Sequence, residues 1–575
     1  MSAEPRALAR PEVASVEASV EAGAERPPRP AATVVVVRDG AEGLEVLLLK
    51  RAERGDHNSS AWVFPGGLTD PRDRDASPCV DGLDDAEASR RLGLPSGGLD
   101  YALAAWRECF EEAGLLLGAD APPPAAEGWR EALQRGERTL AAFCAALGLR
   151  VALDRLVYLS HWVTPPNRAK RFDTRFFLAR APQGQAVRHD GAETIDHRWL
   201  RPADALRQGA AMKLLTPTLA TLQLLARHSD VASLWAWATA PREIRAAMPA
   251  VGTGAQGPRP VTPDEPAYAE LARLDPQRRG GGSYELLPGR AVRLSPRLLR
   301  VTANNGNLMT GPGTNTYLVG VPGRETDADG PGWAVIDPGP DDAAHVDAIL
   351  AAAPGPIRWI FVTHTHTDHS PAAAALARRT GAPVHGRVAD HPQWQDPGFR
   401  PDVPLAGGER FVLGHGDAGA TTTLAVIHTP GHASNHLCYL VEEEKTLLTG
   451  DHVMQSSTVV INPPDGDMAA YLASLRALAQ RELDWLAPGH GFLMDRPREA
   501  MQAIVAHRLA REAKVLAALQ ALAPATDEAL LARVYADVPP KLHRVALRSL
   551  NAHLLKLAAE GRAVHDGVHW QPGAT

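Results

Sequence analysis

The stretch Thr363 to His369 reads Thr-His-Thr-His-Thr-Asp-His and constrains this chain more than any other feature. It follows the apolar run Trp359 to Val362, which predicts a buried strand that ends in a loop. Imidazole nitrogens and a carboxylate are typical zinc ligands, and an open coordination position makes bound water nucleophilic near neutral pH. The stretch therefore predicts a metal site at the end of a strand.

Candidate partners for this cluster occur downstream at His432, Asp451 and His490. Each closes an apolar, strand-like run and stands beside glycine, where a turn can direct a side chain to a shared centre. Two metals about 3.5 to 4 Å apart need several nitrogens and a carboxylate that bridges them. Taken alone, Asp451 also fits a cap of the next segment. The predicted sites are His364, His366 and His432 for one ion, and Asp368, His369 and His490 for the other, with Asp451 bridging.

The order of these residues resembles the metallo-β-lactamase-fold hydrolases over roughly residues 285 to 500. The segments Gly313 to Leu318 and Ile336 to Gly339 are similar to that family's early strand and turn motifs. The resemblance implies an αββα sandwich, the ligand roles given above, two Zn²⁺ ions and a bridging hydroxide as nucleophile. It also implies a catalytic role for Asp368, which would orient that hydroxide.

The segment Thr310 to Tyr317 and the helical C-terminal region are similar to the lactamase-like protein 2 branch, which has a winged-helix-like C-terminal domain. That branch contains an endoribonuclease for single strands and carrier-protein thioesterases, so the substrate stays open between a phosphodiester and a thioester. Lys541, Arg544 and Arg548 fall at i, i+3 and i+7 of a helix predicted over residues 541–560. This basic face either binds phosphates, as in single-stranded RNA, or is an ordinary solvated face.

A second candidate site lies within a helical pattern from Tyr101 to Leu117, in which we expect Gly114 to end the helix and Arg107 to hold one carboxylate in place. Glu108, Glu111 and Glu112 fall at i, i+3 and i+4 and share one face, where their charges repel unless a cation binds. Hard oxygen ligands suit Mg²⁺ or Mn²⁺, which can bridge to substrate phosphates. The alternative is a solvent-facing acidic helix.

The turn from Trp62 to Gly67 and the later Arg-Glu-x-x-Glu-Glu-x-Gly pattern resemble a Nudix box. The resemblance implies a Nudix hydrolase domain, with the three glutamates as metal ligands and Glu111 and Glu112 also catalytic. An insertion from Ala76 to Leu99 interrupts the box, as in the coenzyme A diphosphatase branch, and Asp73 replaces an early glutamate. Glu193 is either an additional base or a surface residue.

We expect a multidomain α/β and α+β chain. The predicted parts are a disordered tail (1–30), a Nudix α/β/α sandwich (31–245), a linker (246–283), a metallo-β-lactamase αββα sandwich (284–497) and a small helical winged-helix-like domain (498–575). The four cysteines lie far apart and indicate reduced thiols in the cytoplasm, and no apolar run is long enough to span a bilayer. The net charge of −7 gives no bias toward nucleic acid.

The predicted function is a bifunctional metal-dependent hydrolase. One half would cleave an ester-like bond, and the other a pyrophosphate link in a nucleotide or coenzyme A-like compound. The expected partners are such small molecules and acyl thioesters, with no membrane, while the oligomeric state stays open. The alternative is a single-stranded RNA endonuclease whose Nudix half only binds or supports structure.

Overall fold

The structure is a computed structural model that describes residues 27–53, 59–119, 123–322, 332–415, 421–455 and 458–573. Residues 1–26 of the predicted tail lie outside these ranges, and residues 29 and 30 begin the first strand. The chain forms two compact units, Met1–Met248 and Pro249–Thr575. No helix within the described ranges is both long enough and apolar enough to cross a bilayer.

The first unit is built on an eight-stranded sheet in which β1 is central. The strand order is β10-β7-β8-β1-β2-β3, with β4 paired to β1 and β9 paired to β2. The strands are β1 Arg29–Gly40, β2 Gly43–Arg51, β3 Trp62–Val63, β4 Gly66–Leu68, β5 Val80–Asp81, β6 Val151–Ala152, β7 Val157–Val163, β8 Phe172–Arg180, β9 Thr194–Leu200 and β10 Ala246–Ala247.

Alternating side chains of β1 face two helical layers, as the period of a strand requires. Val34 and Val36 join the core that contains α2, while Val35 and Val37 pack with α6 and α7 on the other face. This arrangement is the predicted α/β/α sandwich. The helices are α1 Asp85–Leu92, α2 Gly98–Ala113, α3 Glu127–Gln134, α4 Leu140–Leu147, α5 Pro202–Arg207, α6 Thr216–Leu225 and α7 Val231–Thr239.

Helix α2 ends at Gly114 in a left-handed conformation (φ 71°), as predicted. The sequence from Trp129 to Leu147 has a helical pattern that predicts one helix, but a turn at Gly136 (φ 67°) separates α3 from α4 there. The predicted insertion is folded, since α1 buries Ala88 in the same core as α2.

The second unit contains a seven-stranded sheet, β14 to β20 in sequence order, and a five-stranded sheet, β21 to β25. Its strands are β11 Ala250–Thr253, β12 Arg259–Val261, β13 Gly282–Ser283, β14 Ala291–Arg293, β15 Leu298–Thr302, β16 Asn315–Val319, β17 Trp333–Ile336, β18 Ile357–Phe361, β19 Val384–Gly386, β20 Val403–Pro404, β21 Arg410–His415, β22 Thr421–His428, β23 Leu437–Val441, β24 Thr446–Gly450, β25 Trp485–Pro488, β26 Ala563–His565 and β27 Trp570–Pro572.

The two sheets pack face to face, with Phe361 of one and Tyr439 of the other in a shared core. Val346 of α9 and Leu376 of α10 cover the first sheet, and Leu472 of α11 covers the second. The four layers confirm the predicted αββα sandwich. The helices are α8 Tyr268–Leu274, α9 Ala343–Ala352, α10 Ala372–Thr380, α11 Met468–Leu478, α12 Pro497–Leu522, α13 Asp527–Val534 and α14 His543–Ala559.

The segment 246–283, predicted as a linker, is not a structureless connection. From Ala250 onward it contains the small sheet β12-β11-β13 and helix α8. The buried Glu270 of α8 accepts hydrogen bonds from both terminal nitrogens of Arg300, at 2.6 and 2.8 Å. The exact domain boundaries stay predictions.

The C-terminal part contains α12 to α14 around their own core, followed by the hairpin β26–β27 that was predicted as a wing. The last long helix begins at His543, two residues later than predicted. Lys541 therefore lies in a 3₁₀ turn, and only Arg544 and Arg548 of the predicted basic face are on α14.

Candidate metal centres

The seven predicted zinc ligands follow the carboxyl ends of strands from both sheets of the second unit. The cluster from His364 to His369 follows β18, and His432 follows β22. Asp451 comes directly after β24, and His490 comes shortly after β25. Because these strand ends meet at one edge of the sandwich, the structure brings all seven side chains together in two neighbouring groups.

The first group contains His364, His366 and His432. The Nδ1 atom of His366 lies 2.9 Å from Nε2 of His364 and 3.0 Å from Nε2 of His432. Burial lowers the pKa of His366 to about 3, so this ring is neutral and its nitrogen can bind a metal. The geometry is that of a three-imidazole site.

The second group contains Asp368, His369, Asp451 and His490. Asp368 Oδ2 lies 3.4 Å from Nε2 of His369 and 3.3 Å from Nε2 of His490. Asp451 Oδ1 lies 3.3 and 3.2 Å from the same two nitrogens. The other oxygen of Asp451 is 3.7 Å from Nε2 of His432, so this carboxylate faces both groups.

The outward ring nitrogens of four histidines contact acceptors or hydroxyls that orient the rings. This arrangement leaves Nε2 directed at the centre, as is usual for metal-binding histidines. The contacts are His364 to Thr363 Oγ1 (3.0 Å), His432 to the Val460 carbonyl (2.8 Å), His369 to Asp337 Oδ2 (2.9 Å) and His490 to the Gly313 carbonyl (3.1 Å).

Two residues that orient the ligand side chains were not predicted from the sequence to belong to the site. Asp337 accepts hydrogen bonds from the Thr363 amide and hydroxyl, at 2.7 and 2.8 Å, besides contacting His369. The Thr314 hydroxyl donates to Asp368 Oδ2 at 3.2 Å. The signal for Asp337 was its place directly after an apolar strand, before Pro338 and Gly339.

The second group has the electrostatics of a cation site. Burial opposes a charge on His490, yet Asp451 and Asp368 raise its pKa to about 10. Asp451 Oδ1 and His369 Nε2 are buried without a hydrogen-bond partner among the described residues. A divalent cation would displace the protons and satisfy both atoms, so these residues fit a metal.

The three Nudix glutamates lie on one face of α2, within the first unit. Arg107 donates to Glu108 at 2.7 Å and to Glu111 at 3.2 Å, and its Nε atom contacts Asp73 at 3.0 Å. The Gly66 amide donates to Glu112 at 3.0 Å. The predicted role of Arg107 as a holder of carboxylates is thus present, and it extends to Asp73.

Glu111 and Glu112 are buried and Glu108 is largely buried, so these side chains do not form a solvent-facing acidic face. Burial raises the pKa of Glu111 to about 7, and burial together with the charge of Glu108 holds the pKa of Glu112 well above its usual range. Glu193 is close enough to raise the pKa values of Glu108 and Glu112. Glu111 Oε1 is buried without a hydrogen-bond partner among the described residues, which fits a cation.

The structure does not gather Glu108, Glu111 and Glu112 into one ligand set. Within the described ranges, both groups of three or more side chains with metal-binding spacing belong to the second unit. The reason is visible in the contacts, since Arg107 occupies two of the carboxylates and the Gly66 amide occupies the third. Each of these contacts uses one oxygen of its carboxylate, and the other oxygen of Glu111 stays available to a cation.

Comparison with protein families matches each part of the chain. The metallo-beta-lactamase superfamily matches residues 309–490, and the beta-lactamase associated winged helix domain matches residues 526–570. The NUDIX domain matches residues 27–130, and the NUDT19 Nudix domain matches residues 84–219.

Curated relatives align with the second unit. Lactamase-like protein vrtG of Penicillium aethiopicum is 31% identical over 49% of this chain and 87% of its own length. Beta-lactamase-like protein 2 homolog of Drosophila melanogaster is 29% identical over 48% and 92%. Atrochrysone carboxyl ACP thioesterase AgnL7 of Paecilomyces divaricatus is 31% identical over 39% and 65%.

Among solved structures, a NUDIX hydrolase from Alicyclobacillus acidocaldarius is 31% identical over 36% of this chain and 96% of its own, with a TM-score of 0.32. Nudix and metallo-β-lactamase domains are hydrolases, so the chain is an enzyme of that class. It belongs to the metallo-β-lactamase superfamily, in the group of lactamase-like protein 2, and carries an N-terminal Nudix domain and a C-terminal winged helix.

Proposed function

We propose that the metallo-β-lactamase domain hydrolyses a thioester with two zinc ions. We also propose that the Nudix domain hydrolyses a pyrophosphate link in a nucleotide or coenzyme A-like compound with Mg²⁺ or Mn²⁺. The observation that carries the first proposal is Asp451, whose two oxygens face the two groups of ligands. A two-metal hydrolytic site needs a carboxylate in that position.

The chain's own residues divide the work in this site. Asp368 keeps 23% of its side chain exposed, against 1% for His490 and 9% for Asp451. It is therefore the carboxylate that an incoming substrate and its attacking water meet, and Thr314 fixes its orientation. Divalent cations bound here would lower the pKa of water and stabilise negative charge on the carbonyl oxygen.

The choice of a thioester is supported by the relatives. Several proteins that align with the second unit are carboxyl ACP thioesterases by name. The pyrophosphatase proposal is supported by the three glutamates on the Nudix helix, of which two are buried and one of those has an oxygen without a hydrogen-bond partner among the described residues. Four free cysteines support a reducing compartment, for which we propose the cytoplasm.

The test uses the zinc-loaded protein with the substitution Glu111→Gln, so that the Nudix site does not degrade coenzyme A substrates. We expect thiol release from an acyl-coenzyme A or acyl-carrier substrate, and loss of that release in Asp451→Ala. Labelled single-stranded RNA at low salt is the parallel substrate. RNA cleavage without thiol release from any thioester would refute the proposal.

A further inference from the structure

Two loops beside the metal ligands carry unusually exposed apolar side chains. In the loop that precedes β16, Leu308 is 68% exposed and Met309 is 39% exposed. In the loop that follows β19, Val388 is 56% exposed and Trp394 is 59% exposed. Exposed apolar side chains on loops beside a polar site offer contact surface to a ligand. We call these four side chains the apolar rim.

Both loops are tied directly to the ligand cluster. Asn305 donates to the Thr314 hydroxyl at 2.9 Å, and this hydroxyl contacts Asp368. On the other side, His366 and Gln395 form a β-bridge. Since bridged and adjacent Cα atoms are about 5 and 3.8 Å apart, the Cα of Trp394 lies within about 9 Å of that of His366.

A basic side chain of the winged helix contacts the apolar rim. The guanidinium carbon of Arg548, on α14, lies 4.7 Å from the ring centroid of Trp394. Arg544 lies one turn earlier on α14 and is exposed. Within the described part of the chain neither arginine pairs with a carboxylate, so their donors are available to an anion. Trp394 itself has a left-handed backbone (φ 69°), which a bulky residue rarely adopts.

We infer that the apolar rim and these two arginines bind a thioester whose thiol arm ends in a phosphate. This inference rests on the proposed thioesterase function. A thioester over the metal centre extends in two directions, with an acyl chain on one side and the arm on the other. Leu308 and Met309 match the apolar chain, and Arg548 and Arg544 match the phosphate, which arginine binds through several donors at once.

The test compares S-acyl phosphopantetheine with S-acyl pantetheine, which lacks the phosphate. Neither contains a pyrophosphate, so the Nudix domain has no bond to cleave. Loss of one charge-assisted contact in Arg548→Ala should lower kcat/KM for the phosphorylated substrate about tenfold more than for the other. Most of the change should appear in KM. Arg548→Lys keeps the charge and should show a smaller difference.

Two further variants complete the design. Arg410→Ala removes a surface arginine that pairs with Glu442 and should preserve the preference for the phosphorylated substrate. Leu308→Ser should lower kcat/KM for a long acyl chain more than for a short one. Full-length acyl-coenzyme A and acyl-carrier protein then distinguish the two natural sources of the arm.

Equal losses with both substrates in Arg548→Ala would overturn the inference, as would loss of RNA cleavage alone in that variant. If the wild type hydrolyses neither thioester, the proposed function fails and the rim is tested by binding. The probe is then an S-alkyl phosphopantetheine thioether, measured by calorimetry. Weaker binding to Arg548→Ala than to the wild type would support the phosphate site, and equal binding would refute it.

Discussion

The substitution Asp337→Asn isolates the contribution of a residue that orients a ligand without being one. In the wild type, Oδ1 of Asp337 accepts from the Thr363 amide, and Oδ2 contacts the Thr363 hydroxyl and His369 Nδ1. Asparagine has nearly the same shape but replaces one acceptor oxygen with a donor. In either orientation of the amide, at least one buried donor loses its acceptor.

The magnitude follows from these contacts. Loss of a partner that orients a metal-binding histidine typically weakens metal affinity 10- to 100-fold, or about 1.4 to 2.7 kcal/mol. The unpaired buried donor should also lower the free energy of unfolding by about 1 to 3 kcal/mol. The site that contains His369 should weaken most. The three-histidine site should weaken less, because Thr363 contacts His364 only through its hydroxyl.

The assay is competition between the protein and a zinc chelator, which gives the affinity of each site, with urea unfolding of the metal-free protein beside it. Asp342→Ala is the matched control. Asp342 caps α9 through the Ala344 amide at 2.9 Å and has no contact with the cluster, so its removal should lower stability without changing zinc affinity. If Asp337→Asn binds both ions as tightly as the wild type, the orienting role is refuted.

Four further outcomes are expected. Asp451→Ala should lower bound zinc in elemental analysis, and unchanged stoichiometry would refute its bridging role. Glu111→Gln should abolish Mg²⁺-dependent product release. Relative to metal-free Glu111→Gln, the metal-free wild type should lose stability as pH rises from about 4.5 to about 7, because the unfolded chain loses the Glu111 proton first; a difference between the two proteins that does not change with pH would contradict this. Glu270→Gln should lower the free energy of unfolding in urea by about 3 to 5 kcal/mol, because Arg300 stays buried without its charge partner. A loss smaller than that of a variant in which an exposed ion pair is removed would contradict this expectation.

The histidine and aspartate cluster was predictable because its members follow apolar runs, and His432, Asp451 and His490 also stand beside glycine. That pattern is local, and a strand end fixes the direction of the next side chain. The residues that orient these ligands were not predictable in the same way. Asp337 lies 32 positions from His369. The acceptors at Val460 and Gly313 are main-chain carbonyls, which every residue type has, so the sequence does not identify them.

Helix α2 of the Nudix domain shows a different limit of prediction from the sequence. The spacing of its glutamates correctly predicted a shared face and a helix end at Gly114. It could not show that Arg107 bonds to two of the carboxylates and the Gly66 amide to the third, since those contacts depend on packing against β4. The ordered structure of the segment predicted as a linker was not predictable for a related reason. The segment is rich in Pro and Gly, and its buried Glu270 is paired with Arg300, which comes 30 residues later.

The basic helix face was predicted with two meanings, a phosphate-binding surface or a solvated face. This choice stays a prediction, and the position of Arg548 bears on it more directly than the charge of the face does. The guanidinium group of Arg548 lies over the ring of Trp394, which comes 154 residues earlier in the chain. Gln395, which follows Trp394, forms a β-bridge with His366. A helix face that is only solvated does not need a contact with a residue beside the metal ligands. The location of Arg548 therefore favours an anionic ligand that also reaches the metals, which is the property that a phosphate-bearing thioester has.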